Sequence, residues 1–111
     1  FAQNAQCFYQ KDQVLPCLES TASFDMGDLS MLMPVLHCAT SGISGGLHAM
    51  DYRVVNEEDA MITPVKILAC TIIDLLTDGA QLAEEVIKDF VPQLDKNEYL
   101  SLLDNGVRRQ E

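Results

Sequence analysis

Basic residues are scarce: 7 Lys and Arg stand against 17 Asp and Glu in 111 residues, for a formal net charge of −10. A field of that sign repels phosphate backbones and anionic lipid, which argues against nucleic acid and acidic membrane surfaces as partners. Long apolar runs are missing too. Ile67 to Cys70 and Ile72 to Ile73 are cut by Lys66, Thr71 and Asp74, far short of the ~18 apolar residues that a span needs. No Asn opens an N-x-Ser/Thr triplet, because Gln6, Glu58, Tyr99 and Val107 stand two places after Asn4, Asn56, Asn97 and Asn105, so N-glycosylation is not expected. There is no Cys-x-x-Cys, and only His37 and His48 offer imidazoles, which predicts no metal centre and no cofactor. Alternation of strand type never exceeds four residues, and no internal repeat occurs, which sets aside β and solenoid architectures.

What is present is a chain with 48% hydrophobic residues, enough for a core, and a length that fits one domain over 1–111. Four cysteines and an opening at Phe1 without an initiator Met point to a mature secreted protein whose signal peptide would lie upstream. Helical periodicity is clearest at Val65, Leu68, Ala69, Ile72, Ile73 and Leu76, a wide apolar stripe that predicts a central buried helix. Thr63 would cap it, with Pro64 in the first turn and Gly79 at its end, and a further turn over 56–62 would run into it with a bend at Pro64. Leu82, Ala83, Val86, Ile87 and Phe90 mark a second amphipathic helix that stops near Pro92. Asp95 followed by Glu98 has the form of a capping box, and the helix it opens would end at Asn105-Gly106. Weaker helices are expected over Asp28 to Ala39, with Pro34 inside, and over Phe8 to Ser20, joined by a turn at 21–27. A Gly/Ser loop over 40–46 would lead into a short segment, 47–55. The predicted fold class is all-α: a compact, disulfide-stapled helical bundle of five or six helices.

The cysteines, Cys7, Cys17, Cys38 and Cys70, allow three pairings. On a helix over 8–20, Cys7 and Cys17 would lie about 15 Å apart at ~1.5 Å per residue, beyond the ~7 Å that a disulfide spans. An antiparallel hairpin of the first two helices would bring Cys7 to Cys38 and leave Cys17 for Cys70, so the expected bridges are Cys7–Cys38 and Cys17–Cys70.

Gly42-Ile43-Ser44-Gly45-Gly46 matches the GxSxG nucleophile elbow, with His37 and His48 close in sequence. That motif needs a strand before it, a helix after it and a parallel sheet larger than this chain can build, so the stretch reads as a connector. No triad can be assembled, and no catalytic residue and no enzyme activity are expected. Glu57, Glu58 and Asp59 place three carboxylates in the first turn of a helix, where the macrodipole favours them. They are also the candidate partner-binding residues, because 11 acids face 3 bases between Asn56 and Asp104 and could meet a basic protein surface. Met26, Met31, Met33, Met50 and Met61 could line an adaptable groove but read as core filler.

Taken together, FAQNAQCFYQKDQVLPC, LMPVLHCATSGISGGLHAMDYRV and TPVKILACTIIDLL, with their four cysteines and the acidic helical C-terminal half, resemble the small salivary proteins of anopheline mosquitoes, the anophensin and albicin group. The likeness covers essentially the whole chain and rests on length, cysteine layout and phrasing. It implies a secreted saliva protein that protects the blood meal by binding host plasma proteins. Albicin-like members inhibit the alternative pathway of complement by binding the C3 convertase, made of C3b and Bb, so that C3 is not cleaved. Anophensin-like members block kallikrein-kinin contact activation by binding factor XII and high-molecular-weight kininogen. The complement branch is the favoured expectation. A competing class is a carrier of a hydrophobic small molecule, but intervals of nine, twenty and thirty-one residues between cysteines do not fit the odorant-binding layout.

Overall fold

A computed structural model describes the backbone of residues 1–15 and 23–108 and the side chains to 105. Those residues are mostly helical. They comprise α1 (Ala2–Ala5), α2 (Asp25–Ser30), α3 (Thr63–Leu76), α4 (Gln81–Asp89) and α5 (Lys96–Arg108), with a two-stranded antiparallel ladder of β1 (Ile43–Ser44) and β2 (Arg53–Val54). The chain divides into two compact units, Phe1–Ser20 with Cys38–Ala83 and Thr21–His37 with Glu84–Glu111. Five α-helices among the described residues agree with the expected helical class.

In the first unit a π-helical turn over Glu58–Ile62 runs straight into α3, and Thr63 N–H donates to the Glu58 carbonyl, five residues back. Thr63 does not cap α3. The N-cap is Ile62 in helical geometry, and the Thr63 hydroxyl, on a buried residue, donates to Glu58 Oε1 at 3.5 Å. The capping contact lies further upstream, where Asn56 Oδ1 accepts from Asp59 N–H at 3.3 Å. Pro64 sits in the first turn of α3, directly after the π-helical turn. The helix closes at Thr77, and Gly79 adopts φ 72° in the turn that follows, the left-handed geometry expected of it.

The N-terminal segment lies along α3 in the opposite direction. Asn4 Nδ2 donates to Asp74 Oδ2 at 2.7 Å and to Thr71 Oγ1 at 3.3 Å, while Tyr9 OH reaches Asp59 Oδ1 at 3.2 Å. Ala5 and Ile67, each 3% exposed, are the buried apolar residues of that seam. Residues 6–14 form successive turns, not the helix expected over 8–20; Pro16 to Ser20 of that helix lie outside the described residues. The expected loop over 40–46 and segment over 47–55 form a hairpin instead, with Ile43 opposite Val54 and Ser44 opposite Arg53.

In the second unit α2 starts at Asp25, inside the expected turn, and ends by Met31, well short of Ala39; residues 34–40 have no regular structure. Pro34 explains the stop, since it pushes Met33 away from helical geometry. The Met31 carbonyl accepts from Gln93 N–H at 2.9 Å and Leu94 N–H at 3.4 Å. Phe24 and His37 meet edge to face with ring centroids 4.9 Å apart. The capping box forms in full: Asp95 Oδ1 accepts from Asn97 N–H (2.7 Å) and Glu98 N–H (2.8 Å), and Glu98 Oε2 accepts from Asp95 N–H (2.8 Å). The α5 backbone continues past Asn105-Gly106 to Arg108.

Candidate functional site

The side of α3 facing the N-terminal segment carries Thr63, Ile67, Thr71 and Asp74, a step of three and four residues along one face. Val65, Leu68, Ile72 and Leu76 share the opposite face by the same stepping, and every one of them is exposed. The apolar stripe that periodicity assigns to the core is therefore the open side of the helix. Its buried side is half polar and is satisfied by Asn4. Periodicity reports which residues share a face, not which face finds a partner, and here the N-terminal segment selects the mixed one.

At the head of α3 the acidic turn is drawn into the structure. Asp59 accepts from Tyr9 OH and, through Oδ2, from Asn56 Nδ2 at 2.7 Å. Glu58 pairs with Lys66, two turns further along, at 2.7 Å. Glu57 is exposed. Of the three candidate partner-binding acids, then, two are committed to internal contacts. Burial, then the negative charge of Asp59, hold the Tyr9 phenol above its ordinary value, while hydrogen bonds with Thr63 and Ser41 pull it down. Sequence spacing alone gives no sign of this cluster, since Tyr9, Ser41, Asp59 and Thr63 come from three separate stretches.

Ser44 of the GxSxG match lies in the ladder opposite Arg53, not at a strand-to-helix turn. The glycines around it serve packing: a Cβ on Gly42 would lie 2.5 Å from the Asn56 carbonyl oxygen, and one on Gly45 2.5 Å from that of Asp51. His48 stands in the hairpin loop with φ 64°, and His37 stands against Phe24 in the second unit.

Cys7, Cys38 and Cys70 are thiols in this structure, and Cys17 lies outside the described residues together with its expected bridge to Cys70. Cys38 sits on the irregular stretch after Pro34, not on a helix, so the helical hairpin that led to the Cys7–Cys38 pairing is not the arrangement seen. Cys7 and Cys38 nonetheless belong to the same unit. Burial pushes the Cys38 thiol above its ordinary value and the α-amino group of Phe1 pulls it back. Among the described residues no three His, Cys, Asp or Glu side chains gather as a metal site. No single described helix is long and apolar enough to cross a membrane; Glu58–Leu76 and Asp78–Asp89 reach that composition only together, across a 67° bend.

Set against family models, curated proteins and solved structures, the chain matches none of them.

Proposed function

We propose that the protein is a secreted salivary inhibitor that binds the C3 convertase of the alternative complement pathway, C3b with Bb, and prevents cleavage of C3. The observation that carries this reading is the open apolar face of α3, Val65, Leu68, Ile72 and Leu76, on a helix held in place along its other side. A contiguous exposed apolar face marks a protein-docking surface more often than chance exposure does. The likeness of the chain to the anophensin and albicin group supplies the identity of the partner. The excess of acidic residues adds long-range attraction toward a basic surface, which predicts an association rate that falls as salt rises. Two disulfides, Cys7–Cys38 and Cys17–Cys70, belong to the proposal and would limit the ordering cost of docking; peptide mapping of the unreduced secreted protein checks them.

The test is lysis of rabbit erythrocytes by human serum under alternative-pathway conditions with the protein added, beside surface binding to C3b with and without factor B and factor D. Inhibited lysis together with binding that requires the assembled convertase is the expected result. Unchanged lysis with binding to factor XII and kininogen would move the function to contact activation. Binding to none of these, with displacement of a fluorescent apolar probe, would replace the reading with that of a small-molecule carrier.

A further inference from the structure

The hairpin that follows Ser41 is built with unusual constraint for a loop of its size. The Gly42 carbonyl accepts from Val55 N–H (2.9 Å) and Asn56 N–H (3.1 Å), anchoring the hairpin to the head of α3. Within it, Ala49 N–H donates to Gly46 O at 2.9 Å, Tyr52 N–H to Ala49 O at 3.1 Å, and Gly46 N–H to Asp51 Oδ1 at 3.3 Å. Gly45, with φ 99°, leaves no space for a Cβ beside Asp51. At the tip of this frame two apolar side chains face solvent: Leu47 is 70% exposed and Met50 is fully exposed. Met50 is thus not the core filler that composition suggests.

Resting on the reading above, we propose that Leu47 and Met50 form a preformed apolar finger that seats in an apolar pocket, rimmed by basic residues, on the protein partner. Charge decides among occupants. The described residues of this unit carry seven acids against three bases, and Asp51, Glu57 and Asp59 against Arg53 lie on the hairpin and at its base, where Glu58 is paired with Lys66. That field opposes a second copy of the chain and an anionic bilayer, and favours a basic rim. The rigid frame adds to affinity because its ordering cost is met on folding, and a flexible Met thioether adapts to the pocket it enters.

The experiment compares the parent chain, the double variant Leu47→Ser/Met50→Ser and Gly45→Ala for binding to surface-held C3b with factor B and factor D, and to factor XII and kininogen. Both tip residues are exposed, so the double variant should retain the parent's circular dichroism and melting temperature. Losing burial of two apolar side chains should weaken binding roughly 10- to 100-fold, chiefly through faster dissociation. Gly45→Ala should weaken it less, by disturbing the frame while leaving the tip intact. In the bound state, peroxide should convert the Met50 thioether to sulfoxide, one oxygen transferred and water released, more slowly than in the free protein. A parent that binds and a double variant that matches it would overturn the finger and leave the proposed function standing. A parent that binds neither target removes both. Tip-dependent self-association, or sedimentation with phosphatidylcholine vesicles, would also overturn the proposal by giving the tip another occupant.

Discussion

In the first unit, side chains 50 to 70 positions apart hold one another: Tyr9 to Asp59, and Asn4 to Asp74, with Ala5, Ile67 and Thr63 buried beneath. The second unit contains no buried residue among those described. The side-chain hydrogen bonds described for it close within a turn, as in the Asp95 box and in Ser30 Oγ donating to the Gly27 carbonyl at 2.6 Å, while the Phe24–His37 ring contact and a backbone tie to Met31 span longer distances. The same chain thus uses two kinds of order. One depends on a partner segment from far along the sequence, and a single lesion there should be felt along the whole seam. The other is local, and a lesion should stay where it is made.

Ile67→Ala is the strongest way to break the first arrangement. Removing most of a buried isoleucine side chain should cost about 2–5 kcal/mol, read from urea unfolding. Faster hydrogen exchange should follow at the amides of residues 5–9 and 67–71 together. If exchange rose in α3 alone, the N-terminal segment would not depend on that contact and the seam would have to be redrawn.

Tyr9→Phe tests the polar end of the same seam and should cost about 1 kcal/mol, as for one net hydrogen bond. The variant also has a pH signature. The Tyr9 phenol is raised above its ordinary value of 10.0, by burial first and the Asp59 charge second. The unfolded chain therefore ionises at lower pH than the folded one. The contribution is fully present below about pH 10 and is lost as pH rises through the folded value. Alkaline titration of stability should be shallower in Tyr9→Phe than in the parent; parallel curves would show that the phenol does not report the fold.

Against these, Asp95→Ala sharpens the contrast from the local side. Loss of the N-cap should cost about 1 kcal/mol, with faster exchange at the first turn of α5 and little change in residues 5–9. This helix was also the most legible part of the sequence, because a capping box is complete within four residues. The helical stripe of α3, the left-handed Gly79 and the stop of α4 before Pro92 were legible for the same reason. What escaped depends on distant partners. The stripe at Val65, Leu68 and Ile72 has the pattern of a buried face, yet burial follows from what lies opposite, and Asn4 selects the other face. The helix expected over 28–39 fails at Pro34, whose restriction on Met33 outweighs the Met- and Leu-rich periodicity. Gly42 and Gly45 resembled an enzyme motif, yet the backbone approaches of Asn56 and Asp51 account for their lack of a side chain.

The smallest effect expected is at Lys66. Its ammonium lies 2.7 Å from Glu58, but the two side chains remain 48% and 58% exposed, so water and salt screen the pair. Lys66→Met keeps much of the aliphatic stem and should change stability by no more than about 0.5 kcal/mol, with the difference vanishing at high salt. That near-silence is informative beside Tyr9→Phe, since both act on the acidic turn at the head of α3. Should Lys66→Met prove the more costly of the two, the turn would be held by charge pairing and not by its contact with the N-terminal segment. The first unit would then resemble the second in drawing its order from neighbours along one helix.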